Sequence, residues 1–259
     1  MQHSTLVFTI ALNGYQWRYR QHMQSHREFS EKYGFHYQAI TRPFYSSLGI
    51  ECCWLKLTLM LHALRAGYKQ VIFLDADTLV NAHCPDPQTL FHDGKWLYMA
   101  KGYSKRFNSG VMIARNHPAL RLWLTTILKK RHEKLSDKVD VGWGENGHII
   151  AHSIGCPFIK EIPHTWNNTH DKGLDDFIRH YNSGPMRSNL TEKIVHYFLF
   201  ALANKMGKLI TFSQNLWSPS CSEEDLERET LKILNKYPDF MRQPFTESAL
   251  NKSHTMYLK

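Results

Sequence analysis

The first two thirds of the chain alternate short apolar runs with longer stretches of helical spacing. Thr5–Leu12 is a continuous apolar run of the buried-strand type. Tyr15–Tyr33 is polar but compatible with a helix, and Gly34 is placed to end it. Phe35–Ile40 predicts a second strand, closed by Arg42-Pro43. Between Glu51 and Ala66, Trp54, Leu57, Leu61 and Leu64 recur at helical spacing, and Gly67 stops the run. Val71–Leu74 is a third strand. A βαβαβ order of this kind predicts an α/β fold, a mainly parallel sheet covered by helices. Further on, Trp96–Ala100 and Gly110–Ala114 predict strands, Pro118–Arg131 a helix, and Glu145–Ser153 a short helix. Gly155–Gly184, rich in Pro, Asn, His and Gly, reads as loops around a polar site, and Ile194–Phe200 as a late strand. Ser222 opens a tail helix, with Glu223, Glu224 and Asp225 at its positive end and Pro238 beyond its finish. With no evident linker, the expected division is one α/β domain over 1–217 and a helical extension over 218–259 packed on it.

One apolar run carries charge. In VIFLDADTLV (71–80), four apolar residues lead into Asp75-Ala76-Asp77. Residues i and i+2 of a strand point the same way. The carboxyl end of a strand is where open α/β sheets bind ligands. Two carboxylates on one side repel unless something positive lies between them. A hard divalent cation fits, because Mg²⁺ or Mn²⁺ takes oxygen ligands and leaves places for substrate phosphates. Such an ion makes a diphosphate a better leaving group. The simpler alternative is a pair of Asp residues capping the turn after the strand.

Composition narrows the partners. The formal charge of +9 suits an anionic ligand or an anionic membrane surface. Nucleic acid is not expected, since zinc spacing, helix-turn-helix pattern and Gly-aromatic RNA motif are all missing. No apolar run approaches the roughly 18 to 20 residues that span a bilayer. MQHSTLVFTIALNGY lacks a basic start and reads as a first strand, not a signal peptide. Five scattered cysteines without a CxxC pair suggest a reducing, cytoplasmic compartment.

Two enzyme classes place Asp-x-Asp after an apolar strand. Haloacid dehalogenase-type phosphatases need a Thr or Val two residues after the second Asp. Leu79 stands there, and about 70 residues of βαβα precede the pair. The chain resembles instead the GT-A nucleotide-sugar glycosyltransferases, most closely the group of glycogenin-like and lipopolysaccharide galactosyl- and glucosyltransferases. Four stretches carry the resemblance: WLKLTLMLHALRAGYKQVIFLDADTLV (54–80), FNSGVMIAR (107–115), GWGENGHII (142–150) and KIVHYFLF (193–200). Together they cover roughly residues 5 to 200, and their order is more specific than any one of them.

The resemblance implies a GT-A, Rossmann-like fold and roles for particular residues. Asp75 and Asp77 would hold Mn²⁺ or Mg²⁺, with His196 as third ligand, an imidazole favouring Mn²⁺. The family follows that His with a Gly and Lys-Pro-Trp. Here the cations downstream are Lys205 and Lys208, the candidates to grip the diphosphate. Lys56 would face the nucleotide sugar. Leu12, Asn13, Gly14 and Tyr15 would line the base, with Ala76 beside the nucleotide. Asn108, Ser109 and Gly110 would flank the donor sugar. Glu145 and Asn146 would face the sugars, and Glu145 is the first candidate for a base if the reaction inverts. Trp143, His164, Trp166 and Asn167 would meet the acceptor.

The implied activity is metal-dependent transfer of a hexose, galactose or glucose, from a UDP-sugar to a hydroxyl of a glycan or lipid-linked saccharide. Retention of configuration is implied, in lipopolysaccharide or surface polysaccharide assembly. Peripheral docking at the inner membrane face would follow, with Lys232, Lys236 and Arg242 of the tail as candidate contacts. The competing readings are a phosphatase or nucleotidyltransferase using the same Asp pair, and a non-catalytic glycan-binding relic of the fold.

Overall fold

A computed structural model describes residues 4–46, 48–141, 144–182, 185–187, 191, 194–195, 197–199, 201–202, 205–206, 209 and 222–241. A six-stranded sheet forms its centre, in the spatial order β2 (His36–Ile40), β1 (Thr5–Ile10), β3 (Gln70–Leu74), β6 (Val111–Arg115), β5 (Leu97–Ala100) and β7 (Ile159–Ile162). β1 runs parallel to β2 and β3, and β5 parallel to β7, while β6 lies antiparallel between β3 and β5. The sheet is therefore mixed, mainly parallel, and flanked by helices as the periodicity predicts.

The apolar strands read as continuous runs because both faces are covered. Alternate residues divide between two cores. Leu6, Phe8, Val71, Phe73, Met99 and Met112 face one way, against α3 (Leu55–Arg65) and α4 (Pro118–Lys129). Val7, Ile72, Leu74, Tyr98 and Ile113 face the other, with Phe29 of α2 (Arg20–Lys32). The Tyr15–Tyr33 segment breaks at Tyr19 into α1 (Tyr15–Arg18) and α2, and Gly34 follows in the left-handed region at φ 67°. The Glu51–Ala66 helix begins instead as a 3-10 turn over Gly49–Trp54, and only then becomes α3.

Two predicted regions differ. Gly155–Gly184 holds two strands among its loops, β7 and β8 (Ile178–His180). At three and four residues these are too short to show a period. β8 pairs antiparallel with β4 (Thr78–Val80), the continuation of the acidic segment, so that Thr78 lies opposite His180. In place of a strand over Ile194–Phe200, the described residues there are helical. A run apolar on every side does not distinguish the two periods. The short helix α5 is Asn146–Ser153, and α6 is Ser222–Lys236. α6 lays buried Leu226, Ile233 and Leu234 into the core beside α3, and Thr230 shares a 2.8 Å hydroxyl bond with Thr58. No described helix is long and apolar enough to cross a membrane.

The acidic pair and its neighbours lie at one edge of this sheet. β1, β3, β5 and β7 end there, and the reversed strand β6 begins there. Asp75, one residue beyond β3, donates its amide to the Gly110 carbonyl at 2.8 Å. The reversal of β6 thus sets residues 108–110 directly beside the acidic pair.

Two buried histidines give the fold an acid limit. His26 is fully buried and binds Thr78 through Nε2. Burial outweighs the bond to Thr78 and pulls its pKa down to about 3. Burial, with Arg65 nearby, pulls His62 down to about 4. The unfolded chain takes up both protons near pH 6.5, so stability is lost as pH falls below that value. Each depressed His removes about 1.4 kcal/mol per pH unit, hence about 2 kcal/mol at pH 5. Urea unfolding at pH 7 and pH 5 is expected to show the wild type losing about 2 kcal/mol more than His26→Gln over that interval. Equal losses would remove His26 from the account.

Candidate active site

Asp77 is buried, and Asp75 keeps a partly open side chain. Between and around them stand three cationic or imidazole groups. His180 Nε2 lies 3.2 Å from Asp77 Oδ1 and 3.8 Å from Asp75 Oδ2. Arg187, also buried, donates to Asp77 Oδ2 at 2.7 Å and to the Tyr19 hydroxyl at 2.8 Å. Lys56 Nζ lies 3.2 Å from Asp75 Oδ1 and 2.8 Å from Glu145 Oε1.

The charges follow from these contacts. Burial disfavours ionised Asp77, but His180 and Arg187 outweigh it and hold the carboxyl well below the usual carboxylate range. For Asp75, burial wins over Lys56, and with Asp77 beside it the carboxyl is raised. Burial alone would strip Lys56 of its proton, yet Asp75 and Glu145 more than reverse this and its pKa is raised. Burial would likewise raise Glu145, which Lys56 and the Ser109 hydroxyl instead lower. Three carboxyl groups thus face the permanent cations Lys56 and Arg187, with His180 as the third basic group.

One ligand atom each from Asp75, Asp77 and His180 lies within 4.8 Å of the others. An octahedral ion with bonds of about 2.1 Å sets neighbouring ligands about 3 Å apart and opposite ones about 4 Å apart. The donor set of two carboxylates and an imidazole suits a borderline-hard divalent cation. The residues therefore fit a divalent metal.

The glycines and amides around the pair serve mainly to shape it. Ser109 Oγ donates to Glu145 Oε1 at 2.6 Å, and its amide donates to Asn146 Oδ1 at 3.0 Å. Asn146 Nδ2 reaches the Phe107 carbonyl at 3.3 Å. Asn108 Oδ1 accepts from the Gly110 amide at 3.0 Å. The three residues of the turn are thus tied to α5 and to each other. Gly110 makes room for the His180 ring, which a Cβ at that position would overlap.

At the end of β1, Leu12 is core and Asn13 is occupied. Asn13 Oδ1 accepts from the Ser46 amide at 2.9 Å, and its amide reaches Cys52 Sγ at 3.5 Å. Gly14, at φ 95°, has open space where a Cβ would stand. Half-buried Tyr15 packs on Tyr19 at 5.2 Å, and burial followed by Asp77 raises its hydroxyl pKa. Ala76 is buried beside Ala11, Tyr19 and Met23. Of the acceptor candidates, Trp166 and Asn167 are buried, whereas His164 is exposed and stacks on His170, next to Tyr103.

His196, Lys208 and Trp143 lie outside the described residues, and Lys205 is exposed and helical. Besides Lys56, the described residues bring the imidazole of His180 and the guanidinium of Arg187 to the acidic pair. Sequence reasoning passed over both. The signal was present in HYNSGPMR (180–187), a His-Tyr followed by Gly184, Pro185 and a cation. His, Gly and a cation follow here in the order of the His, Gly and Lys-Pro-Trp pattern, with Arg187 for the Lys and with Pro185 before the cation instead of after it.

No family model and no curated protein matches the chain. Solved structures do. A glycosyltransferase involved in the glycosylation of the major capsid of PBCV-1 superposes with a TM-score of 0.54 at 11% identity, covering 70% of this chain and 96% of that one. The fold is GT-A. Looser likenesses are to the glycosyltransferase GlyE of Streptococcus pneumoniae TIGR4, with a TM-score of 0.43 at 14% identity over 82% of this chain and 64% of that one. Mouse xyloside xylosyltransferase 1 gives 0.40 at 12% identity over 71% and 98%. In this GT-A chain the acidic pair follows the third strand and faces the ligand edge of the sheet.

Removing one member of the buried charge network should be costly. Lys56→Met leaves Glu145 buried without its cation and is expected to lower unfolding free energy by about 3 to 5 kcal/mol. Lys56→Met with Glu145→Gln should be distinctly less destabilised in urea melts. A double variant no better than the single one would show that the ion pair is not the source of the loss.

Proposed function

We propose that this chain is a metal-dependent glycosyltransferase, moving a hexose from a UDP-sugar to a hydroxyl of a glycan or lipid-linked saccharide. The observation that carries the reading is the Asp75–Asp77–His180 cluster at the ligand edge of a GT-A sheet. Asp75, Asp77 and His180 would hold Mn²⁺ or Mg²⁺. A bound divalent ion supplies neutralisation of the charge that gathers on a departing diphosphate.

The chain's own residues divide the remaining work. Lys56 presents a permanently charged ammonium beside Asp75, oriented by Glu145. Arg187 adds a planar guanidinium, a good match for phosphate oxygens, and takes the part first given to Lys205 or Lys208. Such cations bind the leaving group more strongly as its charge grows, and this lowers the barrier. Tyr15, at the end of β1, stands where a base can stack. Retention of configuration is favoured because Glu145, the carboxylate nearest the sugar-facing turn, is spent on Lys56 and Ser109 and held in its weakly basic form. In a retaining reaction the leaving phosphate can itself take the acceptor proton.

Galactose or glucose as donor sugar, surface polysaccharide assembly and a cytoplasmic site belong to the same proposal. Tyr103, His164 and His170 offer an aromatic platform for an acceptor sugar. Exposed Ile194, Tyr197, Phe198 and Leu209 favour contact with a lipid surface in preference to α6, whose apolar face is occupied. The phosphatase reading is disfavoured by the place of the acidic pair, after the third strand of the sheet.

Thermal melts with a panel of nucleotides test the reading. UDP or a UDP-hexose at about a hundredfold its Kd should raise the midpoint by roughly 5 °C or more, only when Mn²⁺ is present. GDP should do less, and Asp77→Asn should abolish the Mn²⁺ dependence. A wild type indifferent to every nucleotide sugar with Mn²⁺ would sink the proposal.

A further inference from the structure

The hydrogen bonds around Asn167 determine which nitrogen of His180 carries the proton. The Gly110 amide can only donate, so the Asn108 side-chain atom that it meets at 3.0 Å is the oxygen. That same Oδ1 lies 2.9 Å from the Asn167 amide, and the Asn108 backbone carbonyl lies 3.2 Å from it. Two acceptors on this side require Asn167 to present its NH₂ there. Its Oδ1 then faces the other way, 2.9 Å from His180 Nδ1. An amide oxygen cannot donate, so Nδ1 must carry the hydrogen. Nε2, the other ring nitrogen, is thereby turned toward Asp77 Oδ1 and Asp75 Oδ2.

The Asn167–His180 pair is sealed from water. Asn167 is 0% exposed and His180 3%. Gly110 leaves the only room for the imidazole that its own position offers, since any Cβ there overlaps the ring. Two carboxylates in this corner repel, and a cation between them, whether a proton on Nε2 or a metal ion, removes the repulsion.

We propose that Asn167 is a positioning residue that locks His180 in the Nδ1–H tautomer and turns Nε2 toward the metal, linking the 108–110 turn to the metal ligand through one side chain. The role rests on the metal-site reading above. It requires Asn167 to act through His180 alone and not through contact with sugar or ion. It also gives the 108–110 turn a share in metal affinity without any ligand atom of its own.

Two measurements test it. Ring ¹⁵N spectra of the metal-free wild type at pH 8, with the His180 signals assigned from their loss in His180→Gln, should show a protonated Nδ1. An Nε2–H tautomer overturns the proposal, and this measurement needs no Asn167 variant to fold. In calorimetric titration with Mn²⁺, Asn167→Ala should weaken binding about 10- to 100-fold. In a His180→Ala background the same change should weaken it by less than about twofold, since the partner is already gone. An equal loss in both backgrounds overturns the proposal, because Asn167 would then act through general packing. A wild type with the Nδ1–H tautomer but no Mn²⁺ uptake overturns the metal-site reading and the role with it. Mn²⁺ uptake with the other tautomer overturns the role of Asn167 alone.

Discussion

Three carboxylates crowd one edge of the sheet, largely out of water, and the surrounding structure is organised to make that tolerable. Buried charge is stable only when paired and hydrogen-bonded. Lys56 answers Asp75 and Glu145, Arg187 answers Asp77, and Ser109 adds a hydroxyl to Glu145. Each partner comes from a different element: α3, the stretch after β8, and the turn before β6. His180 meets the two Asp side chains at the point where a divalent ion would be held.

The topology makes this assembly possible. Parallel strands deliver their carboxyl ends to one edge, and a reversed β6 delivers its amino end to the same edge. Side chains separated by long stretches of chain therefore converge within hydrogen-bond reach. The small β4–β8 ribbon extends the acidic segment and folds His180 back over it, anchored by the Tyr181 amide on the Asp77 carbonyl at 2.9 Å. Glycine matters here for the volume it lacks: Gly110 is beside a ring and not beside a turn of unusual φ.

Much of the frame was legible in the chain's own pattern. Strands β1, β3, β5 and β6 and helices α3 and α4 emerged from apolar runs and helical spacing, because each buries a long, regular face. The acidic pair and Lys56 were legible for a related reason, being charges set inside or beside segments that are otherwise apolar. Strands β7 and β8 were not, since three or four residues among Pro and Asn carry no period. Gly110, expected to flank the donor sugar, also leaves room for an imidazole. Asn167, expected among acceptor contacts, is buried and bonded to the ring of His180.

The amino-acid sequence by itself determined the α/β class, the strand that ends in Asp75 and Asp77, and the cationic helix beside it. Those are properties of local pattern: period, burial and charge within one segment. Which of the 16 histidines meets the acidic pair, and which cation guards it, was decided only in three dimensions. His180 lies 103 positions after Asp77 in number, and Arg187 lies 110 after it. Contacts at that separation depend on strand order and register, and a slip of one residue in β8 would turn His180 to the opposite face.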